Sequence, residues 1–441
     1  MVDMSCRRRR ILKAVGTAGV ASAFAGCEAP TSTETTVDRV PGCDTSVVEP
    51  TVSGGQFTLV HSRQKEDLPL LEETKTVFEQ RYDSTVRLER SSYSPLMDIK
   101  SAIPMGDGPH LFTYGHDIAG AFVKDGLLSD QRQSLRVDEC RYIDPAWDAA
   151  EYRRPGTDET VVVGLPFGGA CPALIYNRDI LDEMGVESPA TYDEWLSIMA
   201  EYHDPENGKY GLAHPLNAYF VSWAAQAFGG EIYDGDADEL GITTDAVARG
   251  LDILLDDCKP YLPTDHTEAS AYTEESQIAV FENGNTPFLV NGPWVESNLD
   301  EVDFEYGVLP IPTPSGATAR PYSTVYLLYF TDRMDTETSA VAARQFAEWY
   351  TTSDERIRNL VTNMPFVPVK NELTIRRQLS ATASAFTHQF ETSYPMPQNP
   401  RMNDVWAPFE TAVLEAFETG ADVGPLLDDA ATEIRQSEQW E

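Results

Sequence analysis

Apolar positions fall in short blocks separated by polar turns, and the period inside the blocks changes along the chain. Phe57-Thr58-Leu59-Val60 is strand-like, Leu70 to Arg81 carries Leu71, Val77 and Phe78 in a helix-like pattern, and Thr85-Val86-Arg87-Leu88 alternates again. Strand, helix and strand at this spacing predict a βαβ unit and a parallel sheet. His110 to Tyr114 is a third strand, with Gly115-His116-Asp117 at its carboxyl end, followed by a short helix over Ile118 to Lys124. Val161 to Phe167 reads as one strand and Leu174 to Arg178 as the next. Thr191 with Glu194 three residues on is a capping-box signature ahead of Leu196 and Met199. Tyr210 to Ala213 reads as a short strand that leads into an aromatic helix from Asn217, with Tyr219 and Trp223 four apart on one face. Ala246 to Asp256 is amphipathic, and Ser339 to Tyr350 is a clear helix. Tyr322 to Phe330 is a β-branched and aromatic run suited to a strand crossing between two lobes. Val405-Trp406 opens the last helical region with Pro408 in its first turn, and Leu426-Leu427 opens a final helix.

One stretch organises the rest. Phe281 to Trp294 reads as an Asn-Gly turn, a short buried strand from Phe288 to Val290, and a second break at Asn291-Gly292-Pro293 that delivers Trp294. A flat ring just past the end of a buried strand is where open α/β sheets present ligand groups. Taken by itself, the stretch is equally well read as a tryptophan capping a core.

Size and charge narrow the picture. A chain of 441 residues exceeds one core, so two domains are expected. The formal net charge is −38, from 33 basic and 71 acidic residues. Such a field excludes nucleic acid as a partner, because phosphate binding needs clustered Lys and Arg. At molar salt the Debye length falls to roughly 3 Å and self-repulsion is screened, so a halophilic source is expected. No C-x-x-C spacing occurs among the six cysteines, so neither a metal site nor a cofactor is expected. Cys43, Cys140, Cys171 and Cys258 can pair in three ways. Asp234 to Asp238 has calcium-loop spacing but Glu239 where the loop needs glycine, and is read as an acidic hairpin turn. No G-x-S-x-G, H-E-x-x-H or Walker A pattern occurs, so catalysis is not expected.

The amino terminus carries export chemistry. Arg8-Arg9-Arg10-Ile11-Leu12-Lys13 resembles a twin-arginine signal, and Phe24-Ala25-Gly26-Cys27 resembles a lipobox with Cys27 as the lipid-bearing residue. The apolar stretch between them is too short to span a bilayer. Residues 1–27 are read as this signal and 28–55, rich in Thr, Ser, Pro and Gly, as a disordered tether.

From about Phe57 to Arg435 the chain resembles the extracellular solute-binding proteins of carbohydrate ABC transporters, the maltodextrin-binding branch most of all. Five stretches carry the resemblance: Pro109 to Asp117 with Gly126-Leu127-Leu128; Leu165-Pro166-Phe167 with Leu174 to Asp179; Tyr219-Phe220 with Gly229-Gly230; Asn291 to Trp294 with Tyr306 to Pro310; and Met396-Pro397 with Met402, Trp406 and Thr411-Ala412-Val413. The resemblance implies an α/β fold of two hinge-linked lobes, residues 56–168 with 326–380 and residues 172–322 with 381–441, closing on ligand between them. It implies that Trp294, Trp406, Tyr219 and Tyr114 line the cleft, with His116, Asp117 and Lys65 as polar contacts. It also implies a monomer held at the outer membrane face by its lipid, capturing a sugar or oligosaccharide for an ABC permease and its ATPase subunits. Three polar positions depart from the family: Ala170 replaces a cleft glutamate, Ile118 an arginine, and Ala407 with Glu410 an aromatic–arginine pair. Those losses weigh against maltose itself. A phosphorylated polyol such as glycerol 3-phosphate on the same fold, a secreted carbohydrate-active enzyme and an adhesion lipoprotein are the rival readings; the first wants cleft cations that Ile118 and Glu410 do not supply.

Overall fold

The computed structural model describes residues 43–44, 46–61, 68–90, 95–154, 157, 159–263, 272–299, 301–335, 339–363, 366–371, 379–437 and 440. The export signal with Cys27, and Lys65, lie outside the described residues.

Strands β1 (Gln56–His61), β2 (Thr85–Arg90) and β3 (Leu111–Gly115) run parallel, with β1 in the middle and the helix Leu68–Tyr82 connecting β1 to β2. The βαβ reading of this region holds. Residues expected to form one strand from Val161 to Phe167 instead divide between two strands. β4 (Glu151–Arg153) binds β5 (Thr160–Val162) in a small hairpin, while β6 (Gly164–Ala170) leaves to join the large sheet. The division falls at Val163, whose N–H donates to the Ala150 carbonyl and whose carbonyl accepts from Phe330 N–H. One residue thus serves two sheets, and the chain on either side of it must turn to its own partner.

β7 (Ala173–Asn177) begins a second sheet, the middle strand of three. β8 (Tyr233–Asp234) and β9 (Glu239–Leu240) form the hairpin expected of the Asp-rich segment. β10 (Phe288–Asn291) and β11 (Tyr306–Leu309) flank β7, both antiparallel to it. Tyr210 to Ala213 forms no strand; Ala213 contributes a single bridge to Leu289. β12 (Tyr322–Phe330) then returns to the large sheet, antiparallel to β3 on one side and to β6 on the other. β13 (Tyr394–Pro395) lies parallel to the start of β12.

The strands sort side chains between two cores by their two-residue period. Leu174, Phe288 and Val290 enter a core with Trp195, Trp223, Val405 and Phe409, while Ile175 and Leu289 on alternate positions pack with the other, which holds Phe57, Phe78, Phe112 and Phe346. The chain passes between the two bodies at Cys171-Pro172, at the start of β12, and around β13. The helix Ala381–Phe390 serves both: Phe386 and Phe390 pack in the first core, while Gln389 accepts from Ile311 N–H at 2.8 Å and donates to the Ala319 carbonyl.

A further expectation, on Pro408, is corrected, and the role of Gly292 is defined. The helix carrying Trp406 spans Met402–Thr419, so Pro408 lies in its interior and not in its first turn. A proline there withholds the N–H that the Asp404 carbonyl would accept. Gly292 does not serve as a flexible bend; its φ of −99° suits any residue. A Cβ there would lie 2.1 Å from Cζ3 of Trp294, so glycine is needed to make room for the indole ring.

Of the four cysteines, Cys43 and Cys140 form a disulfide, and Cys171 and Cys258 are free and buried. The bridge begins a strap that runs along the first lobe. Val48 N–H donates to Thr352 Oγ1 at 2.9 Å, Thr51 N–H to Gln345 Oε1 at 3.0 Å, and Arg136 donates to the Glu49 carbonyl at 2.9 Å. The ordered chain therefore starts well before residue 56, inside the segment read as tether. Among the described residues, no helix is long and apolar enough to cross a membrane.

Candidate ligand cleft

Trp294 follows β10 on a single 3-10 turn, Pro293–Val295. Its ring is partly buried and packs against both cores. Three neighbours define its plane. Tyr219 lies 6.1 Å away at 50°, Phe220 lies 6.2 Å away at 64°, and the indole N–H donates to the Glu274 carboxylate. Tyr219 and Phe220 sit in the first turn of the helix Ala218–Ala225, capped by the Asn217 side chain, which accepts from Phe220 N–H at 3.0 Å.

The Tyr219 hydroxyl is buried near the large sheet. Burial first, then Tyr326 and, less, Cys171 and Asp117 hold its phenol in the protonated form, against the pull of Thr324. Tyr326 and Thr324 belong to β12 and Asp117 to the turn after β3, so a side chain of the helix Ala218–Ala225 lies near groups of the large sheet.

Asp117 lies in the 3-10 turn His116–Ile118 at the carboxyl end of β3. Gly115 makes space for it, since a Cβ there would lie 2.6 Å from Asp117 Oδ1. Burial pushes the Asp117 carboxyl up to about 6, against the smaller opposing pull of its own backbone N–H. Tyr114, partly buried two residues before the turn, is also pushed up, first by burial and then by Asp117.

His116 sits beneath the cleft wall. It is 1% exposed, and its Nδ1 accepts from Val325 N–H at 3.1 Å. Burial lowers its pKa to about 4, so the ring is neutral at physiological pH and ties the end of β3 to β12. Trp406 is partly buried on the second lobe, 5.5 Å from Tyr322 in an edge contact. One turn further, Glu410 accepts from Ala218 N–H at 3.1 Å and so caps the helix that bears Tyr219. The structure thus brings Trp294 and Tyr219 into contact, with Asp117 near Tyr219 and Tyr114 near Asp117. Trp406 packs on Tyr322, on the helix whose Glu410 caps the helix of Tyr219.

Sequence reasoning passed over Glu274, the first residue of the helix Glu274–Glu282. Its only local signal was the Thr273 cap before it, which any surface helix of this acidic chain would share.

Comparison with known proteins decides the family. The profile of bacterial extracellular solute-binding proteins matches residues 74–383. The chain belongs to that family. It is 30% identical over 393 residues to the maltotriose-binding protein of Pyrococcus abyssi, covering 87% of this chain and 80% of that one. It is 25% identical over 387 residues to the galactooligosaccharide-binding protein of Bacillus subtilis, covering 85% and 87% of the two chains. A crystal structure of a cyclo/maltodextrin-binding protein complexed with maltotetraose superposes with a TM-score of 0.71 at 21% identity, covering 87% of this chain and 98% of that one. This solute-binding protein therefore has the two-lobed periplasmic-binding-protein fold, and its family is one of binding proteins and not of enzymes.

Proposed function

We propose that this solute-binding protein captures a sugar or oligosaccharide outside the cell, without transforming it, and passes it to an ABC permease and its ATPase subunits. The observation that carries the reading is the aromatic step of Trp294 and Tyr219 with the Asp117 carboxylate near Tyr219. A pyranose offers a C–H face to a flat ring and a rim of hydroxyls that need paired hydrogen bonds. A carboxylate accepts two such hydroxyls through charge-assisted bonds. Contacts to both lobes exist together only when the cleft is shut, so ligand shifts the molecule toward the closed form that a permease can recognise. The relatives' names point to oligosaccharides. Carboxylates at 117 and 274 disfavour a phosphorylated solute.

Trp294, Tyr219, Tyr114 and Trp406 are the apolar surfaces of this site and Asp117 its polar reader, with Lys65 a further contact. His116 acts through the backbone of β12. The lobes are 56–168 with 326–380, and 172–322 with 381–441, the last portion sharing its first helix with both. The mature protein is a monomer held at the outer face of the membrane through lipid on Cys27.

Tryptophan fluorescence titrated with a panel that includes maltotriose, maltotetraose and galactooligosaccharides tests the assignment. The expected result is a saturable change with at least one oligosaccharide at micromolar affinity, about −8 kcal/mol. Silence across all mono- and oligosaccharides would overturn it.

A further inference from the structure

We propose that Glu274 is a positioning residue for the solute: its carboxylate holds the indole N–H of Trp294 and so sets the plane of the ring that the ligand meets. The inference rests on the cleft reading above.

The geometry singles out this contact. Beyond the apolar packing around it, the ring meets Tyr219 at a tilt and Phe220 edge-on, contacts without the direction of a hydrogen bond. Gly292 below supplies space and no grip, since it carries no side chain. Only the Glu274 carboxylate makes a directional contact with the ring, at its one polar atom. The acceptor is itself constrained. Glu274 opens a helix whose cap, Thr273 Oγ1, accepts from Ser276 N–H at 3.3 Å. Asn291, at the end of the strand that delivers Trp294, lies near enough to the Glu274 carboxylate to favour its charged form, although its buried Nδ2 makes no hydrogen bond of its own. Strand end, helix start and ring thus close a small loop of contacts around one carboxylate.

Burial makes the arrangement selective. Desolvation raises the Glu274 pKa, while the bond from Trp294 and the proximity of Asn291 favour its charged form. A charged acceptor bonds an indole N–H more strongly than a neutral one, so the ionised carboxylate is the form that holds the ring best. A ring fixed before ligand arrives does not lose rotational freedom on binding, which is the general route by which preorganisation raises affinity.

Three proteins test this: Glu274→Leu, Glu274→Gln and Trp294→Phe, each compared with the full-length wild type. The first readout needs no ligand. In 15N-labelled protein the Trp294 indole N–H should resonate downfield and exchange slowly. It should lose both properties in Glu274→Leu and keep most of them in Glu274→Gln. The second readout is affinity for whichever of maltotriose, maltotetraose or galactooligosaccharide titrates the wild type. Glu274→Leu should weaken it by about tenfold or more, and Glu274→Gln should restore most of the loss. In a Trp294→Phe background, which has no N–H to hold, Glu274→Leu should cost nothing further. An unchanged indole signal in Glu274→Leu, or equal affinity loss with and without the indole N–H, overturns the positioning role. A wild type that binds no sugar but loses its indole signal in Glu274→Leu would sink the sugar reading and leave the Trp294–Glu274 contact standing.

Discussion

Asp117 is the residue whose chemistry changes most between sequence and structure. Read along the chain, it is one of 71 acidic residues. In the fold it faces Tyr114, Tyr219 and Tyr329, and burial lifts its pKa to about 6 from an ordinary value near 3.8. A carboxyl raised in the folded state lowers stability as pH climbs from about 4 to 6, because the fold resists its ionisation. Ligand hydroxyls that donate to it favour the ionised form, so sugar affinity should rise with pH between 5 and 7 and then level off. Isothermal titration across that range checks this, and Asp117→Asn should be weaker at pH 7 and nearly flat with pH. A wild-type profile as flat as the variant's would remove Asp117 from the site. His116 contributes the opposite sign: its lowered pKa means the fold loses stability as pH falls through about 6 to 4, where the unfolded ring takes up a proton that the buried ring refuses.

Among the elements, the strap from Cys43 to Gly55 departs furthest from what its composition suggested. Ser, Thr, Pro and Gly mark it as tether, yet it lies along the helix Ala340–Thr352 and next to a fully buried carboxylate. Glu348 is 0% exposed and paired with Arg136 through both backbone and guanidinium, and Arg136 also grips Glu49. The disulfide closes a loop of 97 residues. Opening it with Cys43→Ser should lower stability by about 2–5 kcal/mol, read as a fall in Tm, because the unfolded chain regains the entropy of that loop. Sugar affinity should stay at the wild-type value, since the strap's described hydrogen bonds, among them those to Tyr82, Arg136, Arg141, Gln345 and Thr352, involve none of the candidate cleft residues. A loss of affinity would mean that the strap reports on the cleft. The hinge strand β12 is the opposite case: its aromatic and β-branched run was legible, because a strand buried on both faces is mostly apolar, here at all positions but Ser323 and Thr324.

For the whole molecule the governing quantity is charge. At −38 the chain repels itself in dilute buffer, and removal of residues 1–26, which carry a net +4, would leave about −42. The pairs that offset this are mostly exposed, such as Arg81–Glu49 and Lys100–Asp125 at 2.8 Å, and exposed pairs contribute little. Thermal melts should therefore shift upward steeply between dilute buffer and molar KCl, as screening shortens the Debye length to roughly 3 Å. A Tm independent of salt would argue against a halophilic protein. The same field bears on ligand choice, since it favours neutral solutes over anionic ones at long range.

Local pattern alone determined the elements whose signals are written in neighbouring residues. The βαβ start, the Thr191–Glu194 capping box, the aromatic helix with Tyr219 and the hinge strand were all readable, because period and capping are properties of a few consecutive positions. Trp294 was also recognisable, from a strand ended by Asn-Gly-Pro. Tertiary structure decided everything that needs two distant segments at one point. It paired Cys43 with Cys140 out of three choices, split Val161–Phe167 between two sheets, moved Pro408 into a helix interior, and chose one glutamate to hold the indole. The physical reason is that partners far apart in the chain meet only through the packing of both cores, and in a chain this acidic nothing local separates a carboxylate that bonds an indole, as Glu274 and Glu151 do, from the many that face water.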